Sequence, residues 1–426
     1  MLSQLTKNTY DAILKSELQL AMGCTEPIAI AYAAAILGDA LGSVPSRISA
    51  SFSGNIIKNV KSVIVPATGG RHGIEAAIAA GLVSARPDKR LEVLTVLTEN
   101  DEAKIDLILS ECEIKIDKLS TGCTFELLLV GDSGENSATV RISGAHTNVT
   151  KVTRNDEDIT DKYASPTPIT KDGDLLDMSL LSVESIIEYA DTADLAEVKP
   201  YLLRQVEMNM AIAREGISGE WGAKIGKIML SLGDDVARRA RAYAAAGSDA
   251  RMSGCEKPVC IISGSGNQGI TASVPVAVYA EEMKKSENEL LRALVVSDLI
   301  TVHQKTGIGT LSAYCGAISA GVGAGAGICY LHGGKYREVA HTIVNAVAIL
   351  SGTICDGAKP SCAAKIAMAV EAGIMGFEMW RAGSQFIGGD GIVEKGVENT
   401  IKNIGRLAKE GMSDTDREII EIMLGI

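Results

Sequence analysis

Large aromatic side chains are scarce in this sequence, with four Phe and two Trp among 426 residues. That argues against an aromatic-rich β-sandwich and leaves a core of small aliphatic residues, which closely packed helices satisfy best. Basic charge is also short: 41 Lys and Arg stand against 53 Asp and Glu, a formal net charge of -12. Nucleic acid is set aside as a partner, because affinity for phosphate backbones depends on clustered Lys and Arg. The opening residues, MLSQLTKNTYDAILKSELQLAM, lack the basic start and apolar run of a secretory signal, so the cytoplasm is the expected location. Nine cysteines are too few for a disulfide scaffold and odd in number; in a reducing compartment they read as buried residues, nucleophiles or metal ligands. Thr306 to Leu331 carries no Asp, Glu, Lys, Arg or His and is long enough for a membrane span. It is mostly Gly, Ala and Ser, which would gain little in lipid, so a buried helix, broken or tightly packed, is expected and no membrane partner.

What is present divides the chain by pattern. Residues 3–42 read as helical, with Thr25 as the expected cap and Pro27 in a first turn, and Gly42 and Pro45 as the stop. From Arg47 the periodicity changes: RISASFS alternates, LEVLTVL (91–97) reads as a buried strand, and FELLLVGD, ATVRISG and NVTKVTRN read as further strands around a helix, ENDEAKIDLILSE. The polar stretch 155–174 reads as a linker or long surface loop, and helical periodicity resumes at DMSLLSVESIIEYAD. The expected fold class is α+β: a mainly helical domain from residues 1–43 and 169–426, interrupted by a smaller α+β domain at 44–168. A homodimer is the assembly guessed from the small-residue helices.

Four thiols stand beside Gly, Pro or Ala, where backbone can approach a prosthetic group: Cys24 in MGCTEP, Cys315 in SAYCGA, and Cys355 and Cys362 in GTICDGAKPSC. Three thiolates from distant segments suit an iron-sulfur cluster with one iron left open, and four suit structural zinc or a fully ligated cluster. The C-x6-C spacing is neither a zinc knuckle nor a ferredoxin run, so packing thiols remain the rival reading. SGSGNQG, residues 263–269, follows an apolar run and could present backbone N–H groups to a carboxylate, with Ser265 and Asn267 adding side-chain contacts. An ordinary strand-to-helix turn is the alternative; a phosphate loop is disfavoured because no Gly-Lys-Ser/Thr follows. His146 in GAHTN and His72 in GGRHG are flanked by turn residues and are candidates to close over a carboxylate. Asp356 and Lys359 lie between the paired thiols, either tuning a bound group or pairing with each other.

MGCTEP, SGSGNQGITA, SAYCGAISAGVGAGAG and GTICDGAKPSC, in that order, resemble the iron-sulfur-dependent L-cysteine desulfidases, relatives of the iron-sulfur L-serine dehydratases. More loosely, SASFSGNIIKN through TGGRHGIEAAIAAGL, with SGAHTNVTKVTRN, is similar to the small β domain of those dehydratases. The resemblance implies a 4Fe-4S cluster on Cys315, Cys355 and Cys362, with Cys24 as the catalytic base. It implies β-elimination of L-cysteine to sulfide, pyruvate and ammonia, with a small amino acid as the partner molecule. The open iron would act as Lewis acid on the β heteroatom, and a thiolate at a helix start would take the α proton. L-Serine dehydration and a non-catalytic iron-sulfur sensor are the alternatives.

Overall fold

Helices carry most of the chain in the computed structural model, which describes residues 2–164, 168, 176–309 and 311–425. The expected α+β class holds. A six-stranded sheet is built from β2 (Arg47–Phe52), β3 (Glu113–Lys118), β4 (Glu126–Asp132), β5 (Ser137–Ser143), β6 (Val149–Arg154) and β7 (Glu157–Asp158), in the order β3-β2-β4-β5-β6-β7. Only β2 and β3 run parallel; the other neighbours are antiparallel. Alternation dictates its two faces: in β5, Ala138, Val140 and Ile142 point inward while Arg141 faces solvent. Inward residues meet the helix Thr25–Leu41, and Gly131 of β4 sits where Leu37 crosses, 2.9 Å from the position of an added Cβ. On its other side that helix packs closely on Ile74–Ser84, with Gly81 against the backbone of Ala31.

Residues 91–97 form no strand. Pro87–Val96 makes 3₁₀ turns, interrupted at Arg90 (φ 48°), with Leu91, Val93 and Leu94 buried. β2 is flanked by β3 and β4, and this apolar run joins neither free edge of the sheet but lies on the helix Thr25–Leu41. One edge goes to EIKIDK, whose exposed charges suit an unpaired border. The expected helix at ENDEAKIDLILSE appears as Glu102–Glu111 after a capping box at Thr98. Part of the expected linker lies outside the described residues.

The helical body centres on Gly316–Leu331, which contacts Gly266–Glu282, Glu287–Ile308, Tyr336–Leu350 and Cys362–Arg381. Small residues set this spacing. An added Cβ at Gly321 would overlap the backbone of Ala369, and one at Gly373 the carbonyl of Gly321. The 306–331 segment is broken as expected: one helix ends at Ile308 and the next starts at Gly316. Among the described residues no helix is long and apolar enough to cross a membrane.

A two-stranded antiparallel ribbon, β1 (Leu20–Met22) with β8 (Pro258–Cys260), ties two helix starts together. After β1 the chain turns at Gly23 (φ 75°), where an added Cβ would overlap Pro66, and Cys24 caps Thr25–Leu41. Cys24, not Thr25, is therefore the cap. After β8 the chain turns through Ser263 and Gly264, and Ser265 caps Gly266–Glu282. The Ser263 N–H donates to Glu17 Oε2 at 2.7 Å, which fixes this turn against the first helix.

Candidate active site

The three thiols of the C-terminal half are brought to one place by backbone pairing. Cys315 N–H donates to Thr353 O (3.0 Å) and Cys355 N–H to Ala313 O (2.6 Å), a short antiparallel contact around Tyr314 and Ile354. Cys315 caps the central helix, Cys362 opens the helix Cys362–Arg381, and its N–H donates to Lys359 O at 2.9 Å. Between the paired thiols, Gly357 adopts φ +92° and passes so close to the carbonyl of Lys58 that a side chain would collide. Cys315, Cys355 and Cys362 are all half-buried. Burial, reinforced by the neighbouring Cys355 charge, pushes the Cys315 thiol up to about 12. Burial also raises Cys362, against a lowering contribution from the backbone of Lys359. Asp356 joins Lys359 and Lys365, 2.5 Å from each; burial alone would raise its carboxyl, but the two lysines hold it down to about 2. Lys305 faces the thiols with its pKa lowered to about 8 by burial, an effect opposed by the negative charge of Cys355 and Cys315. Among the described residues no three His, Cys, Asp or Glu side chains converge on a position for a single metal ion.

Cys24, Glu26 and His146 line the same cavity as these thiols. The Cys24 thiol donates to Glu26 Oε2 at 3.2 Å, and Asn59 Nδ2 donates to Glu26 Oε1 at 2.9 Å. Burial would raise Glu26, but His146, whose Nε2 stands 4.0 Å from Oε1, together with Cys24 and Asn59, holds the carboxyl well below the usual range. Cys24 goes the other way. Burial and the Glu26 charge push it well above an ordinary thiol, against the lowering influence of Arg251. Desolvation and an adjacent carboxylate thus oppose the helix dipole, which favours the thiolate.

Ser265, Asn267 and His146 line the same cavity. The Ser265 hydroxyl accepts from Gln268 N–H at 3.5 Å, so part of its capacity is used for capping. His146 is wedged between Phe125, with ring centroids 4.6 Å apart, and Gly264, where an added Cβ would come within 3.0 Å of Cε1. His72 is not brought to the site. It is exposed, paired with Ile64 in a turn that Thr68 and Arg71 fold away from the cavity, Thr68 Oγ1 donating to Val65 O at 2.7 Å and Arg71 bonding to Asp106. Sequence reasoning missed Glu26, Asn59, Arg251 and Lys305. The available signal was charge in unlikely company: Glu26 inside CTEPIAIAYAAA, and Arg251 inside AAAGSDARM.

Residues 88–421 match the serine dehydratase alpha chain. The chain belongs to that family. The matched span of the family includes Arg251, Ser265 and the three C-terminal thiols, while Cys24 and Glu26 lie before it. Full-length likeness comes from UPF0597 proteins: one of Desulfitobacterium hafniense is 55% identical over 98% of this chain and 96% of its own length. One of Treponema denticola is 45% identical over 97% of each chain, and one of Shewanella baltica 36% identical over 97% of this chain and 98% of its own. These relatives extend the likeness through the Cys24 helix.

Proposed function

We propose that this chain is an iron-sulfur-dependent lyase that removes the β substituent of L-cysteine, releasing sulfide, pyruvate and ammonia. The observation that carries the reading is one cavity lined both by the thiols of Cys315, Cys355 and Cys362 and by Cys24, Glu26 and His146. L-Serine is the second substrate to test, because the family is that of a serine dehydratase chain.

The donor set suits a 4Fe-4S cluster. Cys315, Cys355 and Cys362 are the residues that would hold it, and Lys305 and Lys365 bring positive charge beside three thiolates. A cluster binds one thiolate per iron, so its ligands are spread around a cube rather than aimed at one point. The raised thiols favour capture by metal at neutral pH only with release of protons. When bound, such a cluster supplies an open iron as Lewis acid for the departing sulfur or oxygen.

The remaining work falls to side chains of this chain. Cys24 must give up its proton before it can take one from the substrate α carbon; Arg251 favours that ionisation, and burial with Glu26 opposes it. Glu26 accepts hydrogen bonds from Cys24 and Asn59 and so holds the sulfur at its place on the helix start. Removing the α proton and losing the β group leaves aminoacrylate, which tautomerises and hydrolyses to pyruvate and ammonia. Anaerobic cluster reconstitution followed by sulfide and pyruvate assays on L-cysteine and L-serine tests the reading, with Cys355→Ala as control. Turnover that appears with the cluster and vanishes in the variant supports it; a reconstituted protein inert to both amino acids refutes it.

A further inference from the structure

Five buried side-chain atoms, all on residues that line the cavity, have no hydrogen-bond partner among the described residues: Arg251 Nε and the amide oxygens of Asn55, Asn59, Asn267 and Gln268. Unpaired buried polar atoms are rare and costly, so such a concentration in one place marks a site completed by a ligand. Their chemistry is not mixed at random. One is part of a cation, and four are acceptors.

Arg251 is the decisive member. It is 2% exposed and makes no ion pair among the described residues. The other cations here are engaged or directed elsewhere: Lys58 bonds to Asp416 at 2.7 Å, Lys365 to Asp356 at 2.5 Å, and Lys305 faces the thiols. Asp249, two residues away, is turned to the backbone N–H groups of Ala223 and Ile225. A buried guanidinium without a counter-ion carries a desolvation cost that an anion at its fork would offset. The local sequence makes room for that fork. Gly266 begins the helix Gly266–Glu282 directly over the guanidinium, where any side chain would overlap it. Asn267 and Gln268 follow in the first turn, with Asn267 Nδ2 turned to Met252 Sδ at 3.6 Å and its oxygen left unpaired.

We infer that this wall is the complement of a zwitterion: Arg251 binds the α-carboxylate, and the side-chain oxygens of Asn267 and Gln268 accept from the α-ammonium. The assignment rests on the lyase reading for its reaction, but it commits further, to α-amino acids over 2-hydroxy acids and simple carboxylates of the same size. It makes Arg251 a substrate-binding residue and the two amides the source of selectivity.

Calorimetric titration of the full-length, anaerobically reconstituted protein with L-alanine, L-lactate and propionate tests it. None of these carries a β leaving group, so binding is read without turnover. L-Alanine is expected to bind at least about 10-fold more tightly than L-lactate or propionate, since those leave acceptor oxygens unpaired. Arg251→Gln is expected to weaken L-alanine by about 30-fold or more, with Arg251→Lys intermediate. Asn267→Leu is expected to weaken L-alanine while leaving L-lactate nearly unchanged. L-Lactate binding as tightly as L-alanine overturns the inference, as does an Arg251→Gln or Arg251→Lys protein, folded by circular dichroism, with wild-type L-alanine affinity. Selective L-alanine binding without turnover of L-cysteine or L-serine would sink the lyase reading and leave this one standing. Turnover without Arg251 dependence of KM would do the reverse.

Discussion

Asp298→Asn should stabilise the protein, and by an amount that grows with pH. Asp298 is buried within the helix Glu287–Ile308, where Gln205 Nε2 donates to its Oδ1 at 2.8 Å. Its other oxygen, Oδ2, has no partner among the described residues, and neither has Gln205 Oε1 on the same amide. A proton on Oδ2 supplies the donor this pair lacks. Burial therefore raises the carboxyl from 3.8 to about 7, opposed by the Gln205 bond and reinforced by the charge of Glu17. The sign follows from linkage: the folded state holds this proton more tightly than the unfolded state, so stability falls as pH rises between the two values. The penalty is absent below about pH 4, grows by about 1.4 kcal/mol per pH unit, and levels off above about pH 7 at ~4 kcal/mol. Asparagine carries a permanent donor at that position and no charge. Urea unfolding of both proteins at pH 5 and pH 8 isolates this group from other titrations. The variant's advantage should be larger at pH 8 by ~2–3 kcal/mol. Equal differences at the two pH values would refute the reasoning, and a destabilised variant at pH 8 would show that Asp298 is ionised and paired.

Other outcomes follow from the site. Ala at Cys315, Cys355 or Cys362 should abolish the iron-dependent visible absorption after anaerobic reconstitution, while Cys24→Ala should retain it and lose roughly 10²–10⁴-fold in turnover. Loss of the absorption in Cys24→Ala would make Cys24 a ligand instead. Because Cys24 is raised by burial and Glu26, kcat/KM for L-serine, a substrate without its own thiol, should climb between about pH 6 and 8; a fall over that range would exclude a thiolate base. Gly373→Ala should cost ~1–3 kcal/mol by pressing a methyl group into the Gly321 carbonyl, visible as a lower unfolding temperature. It should also reduce bound iron, since the two helices forced apart begin at Cys315 and Cys362.

Local periodicity was enough for much of this molecule. The alternation of RISASFS, FELLLVGD, ATVRISG and NVTKVTRN survives as β2, β4, β5 and β6, because each has an apolar face that only the sheet can bury. LEVLTVL has equally good strand chemistry and becomes 3₁₀ turns, its apolar side chains buried against the helix Thr25–Leu41 rather than paired in the sheet. No residue within the run encodes that choice. The same limit applied to the site. The cysteines could be picked out by residue type, whereas Arg251 and Glu26 are ordinary charges until folding strips them of water. His72 failed for the opposite reason: its flanking glycines looked like a binding turn, and the turn packs elsewhere.

The glycine and alanine seam between the helices that begin at Cys315 and Cys362 runs below the thiols and uses none of them. The receptacle is thus shaped by contacts that need no iron. On the iron-sulfur reading, manufacture and loading become separate events in the cell: finished polypeptide can accumulate and wait. Its output would then follow iron supply and oxygen tension without any change in how much of it is translated.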